Sequence, residues 1–447
     1  MFLLNGLVSL VHWFTSATWR SFFGIFLLTS AVSIHRFGRI PIEYLVPNPE
    51  WELGAIAISL AQNGRFADPY IIPTGPTAHL PPVYPYLISL VYRWFGVTPT
   101  AGYVIFSSIL VTASLLYALL PWFSERFGLG RQAGFMGGVI GALSVVWPGH
   151  GEYLTALVLA LLLVFFLDRW INHNAGWFTS LLLGSAIGAA FHLQPVLLLV
   201  MIGCISFDWW WNKKQKKGSF VGMLVLGTVL ACIPWTWRNY RTFDALFFMR
   251  SNLGLEARMG NHAGAFPTMA EMDANHEALH PRSHAAEARR IIDIGEVEYM
   301  RTAGSEALAW IAANPGDFLR LTVRRVGNVW AGPLYRPASA LGVSLTSMLA
   351  FFGFWRIYPR LSIPQRAVFI IPLVTYPLVY YFTAYMPRYR IPIDWLLFIL
   401  AGAAVCSLVP CEKPRSGSEP KDTHPYSYSI SSKSKNFNSA AVTGSAR

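Results

Sequence analysis

Two glutamates, Glu50 and Glu52, stand at the head of NPEWELGAIAISLAQN, a short amphipathic stretch between two apolar segments. A carboxylate there, within hydrogen-bond reach of a hydroxyl, can take its proton as the oxygen attacks. The plainer reading is local, because an acidic residue in a helix's first turn is stabilised by the helix dipole. Glu152, in PGHGEYL, opens another apolar stretch and carries the same two readings. In a site it would position an acceptor, bind a metal or orient an arginine. Arg388 and Arg390, in MPRYRIPIDW, stand where the last apolar stretch begins. Guanidinium forks match phosphate oxygens bidentately, and the plainer reading is snorkelling toward headgroups. Arg238, in PWTWRNYR, has both readings as well. The candidate set is therefore Glu52 and Glu152 for catalysis, Arg388, Arg390 and Arg238 for a phosphate, and Glu50, His79 and Tyr84 for substrate contacts.

Other residues that look chemical read otherwise. His276, His280 and His284 are spaced four apart, as metal ligands on a helix would be, but Pro281 breaks the helix that would align them. No zinc site is expected from that run. Asp68-Pro69 and the turn at Gly75 read as loop architecture. Of the four cysteines, Cys204, Cys232 and Cys406 lie inside apolar runs and Cys411 just past one, with no metal-ligand or CxxC spacing.

These groups need elements to hold them, and the composition says what those are. The 447 residues are 54% hydrophobic, 15% aromatic and only 13% charged, about half the charge of a soluble domain. That places the chain in a bilayer. The net charge of +12 sits mainly in short loops and the tail, a topology signal and not a nucleic-acid footprint. The first residues lack a charged n-region and a small-residue cleavage site, so residues 1–19 are expected as an interfacial segment and not a signal peptide.

Apolar runs at 20–38, 101–122, 132–149, 153–168, 177–192, 195–211, 219–237, 338–356, 366–384 and 391–409 give an all-α polytopic protein of about ten spans. The stretch from 177 to 211 is too long for one span and is split at Gln194-Pro195. Residues 81–96, rich in Tyr and Trp, fit a helix lying in the interface. With both termini cytoplasmic, every strongly basic short loop lies inside, and Glu50, Glu52, His79, Glu152, Arg238, Arg388 and Arg390 all fall outside. The expected divisions are a membrane module at 20–237 with a first outer loop at 39–100, an extracytoplasmic helical region at 238–337, and terminal spans at 338–410. A disordered cytoplasmic tail follows at 411–447. Within the extracytoplasmic region two helices are expected, separated at Asn314-Pro315. No internal repeat is evident, which weighs against a transporter built from inverted halves.

WELGAIAISLAQNGRFADPY followed by GPTAHLPPVYPYLISLVYRWFG resembles the first outer loop of GT-C type membrane glycosyltransferases. More narrowly, it is similar to glycosyltransferase family 39, the protein-mannosyltransferase and aminoarabinose-transferase superfamily. PWTWRNYRTFDALFFMRSNLGLEARMGN, EALAWIAANPGDFLRLTVRRVGNVWAG and RYRIPIDWLLFILAG resemble later segments of the same proteins. The resemblance implies a bacterial inner-membrane enzyme that moves a sugar from a polyprenyl-phosphate carrier to a lipid, glycan or protein acceptor on the periplasmic face. It implies an acidic base at Glu52, a second acidic residue at Glu152, and Arg388 or Arg390 near the lipid phosphate. Relatives often carry Asp, or an Asp-Glu pair, where this chain reads Glu50-Trp51-Glu52, so Glu50 stays the alternative base. Some GT-C enzymes use a divalent cation and others none, which leaves the cofactor open. A flippase for polyprenyl-linked sugars and a non-catalytic carrier-binding protein are the competing readings.

Overall fold

A computed structural model describes residues 2–39, 41, 51–145, 151–172, 176–218, 220–275 and 279–408. Glu50 and His276 lie outside the described residues. The described chain is helical, with no strand and two isolated bridges. Six helices are long and apolar enough to cross a bilayer: Pro99–Arg126, Glu152–Asn172, Val221–Phe243, Pro337–Arg360, Ile363–Phe382 and Pro387–Leu408. The pair Ser9–Thr15 and Thr18–Phe37, bent by 111°, makes a seventh if taken as one span. The protein is thus a multi-pass helical membrane protein. Three further expected stretches form the helices Arg131–Leu143, Trp177–Phe191 and Leu197–Lys214, which fall short of a full span's length or hydropathy.

The last span is the hub. Its residues from Ile391 to Ala404, Asp394 excepted, are buried, although nothing in a uniformly apolar run says which face meets protein. Glycines let backbones touch it. A Cβ on Gly402 would meet the Ala133 carbonyl at 2.1 Å, and one on Gly353 the Leu400 carbonyl at 2.0 Å. Small residues at such crossings are the usual device where lipid removes the hydrophobic drive.

On one side of this bundle lies a lobe built from Leu253–Gly260, Met269–Ala274, Ala285–Ile294, Glu296–Ala313 and Pro315–Ala331. It has its own small core of Leu255, Met259, Met272, Ile291, Tyr299 and Met300, joined by Tyr70 from the first loop. The stretch expected as one helix before Asn314 is two. Gly295, at φ +81°, ends the first through its N–H to the Ile291 carbonyl and heads the second. Only a residue free to adopt that left-handed conformation can do so without strain. Residues 83–95 form a helix of apolar and polar faces packed on Glu52–Asn63, short of a span, as the interfacial expectation has it.

Candidate active site

The loop between the helices Glu52–Asn63 and Val83–Phe95 is pinned from several directions. Asp68, itself at φ +59°, accepts the Gly75 N–H through Oδ1 at 2.8 Å, which is the loop architecture expected there. Arg238 donates to the Thr77 carbonyl at 2.7 Å and the Phe66 carbonyl at 3.1 Å, stacked between Trp235 and Phe66. Arg250 donates through Nε to the His79 carbonyl at 3.1 Å. Glu296, buried in the lobe, accepts from the Ala78 N–H at 2.8 Å and the Ser251 hydroxyl at 2.6 Å. Burial pushes the Glu296 carboxyl up, and these hydrogen bonds oppose it. The loop, the lobe and the C-terminal end of the membrane helix Val221–Phe243 are thereby one construction.

That construction closes over a cavity of about 1710 Å³ lined by Glu52, His79, Tyr84, Glu152, His280 and Arg388, among others. Glu52, half-buried in the first turn of its helix, faces His280, with Nε2 to Oε1 at 3.5 Å. His280 Nδ1 accepts the Arg282 backbone N–H at 3.1 Å. A neutral ring therefore carries its proton on Nε2, the nitrogen turned toward Glu52. Burial pushes His280 down to about 4, against the opposing pull of the Glu52 charge. His79 shares a hydrogen bond with the Tyr70 hydroxyl at 3.0 Å, and burial holds it well below the ordinary histidine range.

Glu52, His79 and His280 each offer one ligand atom, and these atoms lie within 4.8 Å of one another. A carboxylate with two imidazoles is a donor set that suits zinc. Ligation through the His280 nitrogen facing Glu52 requires that nitrogen to lose its proton, which the Arg282 hydrogen bond keeps in place. Of the two described histidines of that run, His280 and His284, it is His280 that joins Glu52 and His79, some two hundred positions away.

The second half of the site comes from the span ends. Glu152 is 8% exposed, and its Oε1 stands 3.5 Å from Arg388 Nε. Glu152 Oε2 and Arg388 Nε are buried without a hydrogen-bond partner. Gly151, at φ +110°, brings the Tyr84 ring against the backbone, 3.4 Å from where a Cβ would sit. Burial and the Glu152 charge push the Tyr84 hydroxyl up. Tyr389 stacks on Tyr380 with centroids 4.6 Å apart.

Five of the eight candidate residues line the cavity in two groups, Glu52 with His79 and Glu152 with Arg388 and Tyr84, while Arg238 holds the loop from outside it. Arg238 and Arg390 do not line the cavity. Arg390 is 4% exposed, bonded to Asp394 and to the Val329 carbonyl at 2.9 Å, and ties the last span to the lobe. His280, set aside with its run, lines the cavity, and Arg250, Glu256 and Arg282 line it without having been singled out. Asn252 donates to Glu256 Oε1 at 3.0 Å, and burial pushes the Glu256 carboxyl up while Arg250 opposes. Their only signal in the sequence was charge in a segment between spans, next to apolar residues that bury them.

No family model matches this chain, and neither a curated protein nor a solved structure matches it.

Proposed function

We propose that the protein is a membrane glycosyltransferase of the GT-C type, moving a sugar from a polyprenyl-phosphate carrier to an acceptor on the outer face of a bacterial inner membrane. The observation that supports this reading is the meeting of Glu52, Glu152 and Arg388, from three distant segments, on one cavity next to the first turns of two apolar helices, Glu152–Asn172 and Pro387–Leu408. Glu52 takes the proton of the acceptor hydroxyl as its oxygen bonds to the anomeric carbon. The bond from that carbon to the carrier's phosphate oxygen breaks, and polyprenyl phosphate leaves. Arg388 meets the charge that collects on the leaving phosphate. A single displacement inverts the anomeric centre. His280, with Nε2–H turned to Glu52, holds the carboxylate in place. In this reading the shorter helices complete ten spans, with both termini cytoplasmic.

The test compares, by mass spectrometry, the lipids and glycans of cells carrying the wild type, Glu52→Gln, or no copy. Glu52→Gln is expected to fold and to lose transfer by about 10²–10⁴-fold, the worth of a positioned base. Wild-type product from Glu52→Gln would sink the assignment of the base. Identical products with and without the protein would sink the transferase reading itself.

A further inference from the structure

Far from the cavity, the helix Leu197–Lys214 ends in FDWWWNKK and turns at QKKG. The turn is ordered around a left-handed Lys216 at φ +55°. The Lys216 N–H reaches the Lys213 carbonyl at 3.1 Å, and the Lys217 N–H the Asn212 carbonyl at 2.9 Å. Lys213, Lys214, Lys216 and Lys217 are therefore gathered over one helix end, all exposed. Lys213 stands over the Trp209 ring at 5.1 Å and Lys214 over Trp210 at 5.2 Å. Trp211 turns inward, and its indole N–H donates to the Trp170 carbonyl at 2.9 Å, fastening this end to the neighbouring span.

Carboxylates that could neutralise the lysines are engaged elsewhere. Asp208 is fully buried and bonded to Arg169 and to the Trp170 indole. Asp168 accepts from Asn172, and among the described residues no ion pair reaches any of the four lysines. The helix C-terminus favours cations, and cytoplasmic loops of membrane proteins collect them. Neither explains why Trp209 and Trp210 stay 53% and 43% exposed beneath the ammonium groups. An indole rim with cations above it is the pattern of a headgroup layer.

We propose that this corner binds the phosphate headgroups of anionic phospholipids, with Lys213, Lys214, Lys216 and Lys217 as the cationic contacts and Trp209 and Trp210 seated at the glycerol level. The site is independent of the transferase reading. It serves to hold this end of the bundle at a fixed depth, because four charges near an anionic surface each add attraction.

Native mass spectrometry of the full-length protein in detergent tests it, with phosphatidylglycerol and phosphatidylcholine titrated separately. Phosphatidylglycerol is expected to bind selectively. The variant with all four lysines changed to Gln is expected to bind it about tenfold more weakly or worse, since each charge contributes, and the matching Lys→Arg variant like wild type. Changing only the pairs Lys213/Lys214 or Lys216/Lys217 gives graded losses in proteins whose melting without lipid is unchanged. Equal binding of the two lipids, or undiminished phosphatidylglycerol binding by the Gln variants, overturns the proposal. Competition by inorganic phosphate at concentrations equal to the lipid's would assign the site to free phosphate and overturn the lipid.

Discussion

One helix, Glu152–Asn172, carries a buried charge near each end, and the two are paired in opposite ways. Near its far end Arg169 meets Asp208 with two hydrogen bonds, Nε at 2.8 Å and Nη2 at 3.1 Å. Ser180 takes the third donor at 2.8 Å, and the Trp170 indole satisfies Asp208 again at 3.1 Å. At its first turn, about 25 Å away along the axis, Glu152 faces Arg388 at 3.5 Å with atoms left over on both sides. A buried charge that is fully met is structure. A buried charge left partly unmet against a cavity wall is a place for something to bind. The helix separates the two tasks by its length.

The largest effect should come from breaking the finished pair. Asp208→Ala leaves Arg169, 4% exposed, without its carboxylate, and an uncompensated buried charge costs about 3–5 kcal/mol. A strong drop in the melting of the detergent-solubilised protein, with loss of folded yield, is expected. Melting like wild type would mean that water or lipid reaches this pair and that the contrast is false.

Glu296→Ala comes next. It strips the Ala78 N–H and the Ser251 hydroxyl of their acceptor in a buried place, at about 1–3 kcal/mol. Because it frees the loop carrying His79, faster protease cleavage between residues 66 and 82 should accompany the lower melting temperature. Lower stability without faster cleavage would show that the loop is held by Arg238 and Arg250 instead.

The dependence on pH follows from His280. Its ordinary value is 6.5 and the fold lowers it to about 4. Between these values the unfolded chain binds a proton that the folded chain refuses, so stability falls as pH drops from 6.5 toward 4. By pH 5.5 the loss from this group should reach about 1 kcal/mol. His280→Gln removes the group, so melting curves of the two proteins over this range should converge as pH falls. Parallel curves would mean that the ring is already protonated against Glu52.

Much of this was legible. Run length and hydropathy gave the helical membrane character, and the positions of Glu52, Glu152 and Arg388 at the heads of apolar stretches marked them as groups at a membrane edge. Arg388 and Arg390, two residues apart, were not separable in that way. A short 3-10 turn at Pro387–Arg390 sends one into the cavity and the other into the lobe, and the choice depends on the Val329 carbonyl, sixty residues away. His280 was set aside because its neighbours in sequence could not align with it. Its partners come from another segment altogether, and local periodicity is blind to that. Arg169 and Asp208 went unremarked because each reads alone as a charge near the end of an apolar run, and only packing reveals the pair.

The smallest expected change in stability is the one that tests the contrast most closely. Glu152→Gln removes a charge from a pair that makes no hydrogen bond, and the Arg388 side chain, 31% exposed, can turn to water in the cavity. The change in melting should therefore stay within about 0.5 kcal/mol, the range of substitutions that break no packed or hydrogen-bonded feature. Any activity of the site should respond far more, because a ligand that meets the free Glu152 oxygen loses a charged acceptor, roughly 1.5–3 kcal/mol or about tenfold and more. Arg388→Lys should act likewise, keeping the charge but losing the fork that a phosphate uses. If Glu152→Gln melts as badly as Asp208→Ala, then Glu152 and Arg388 are a structural pair drawn slightly apart. The site would then have to be sought around Glu52 and the two histidines alone.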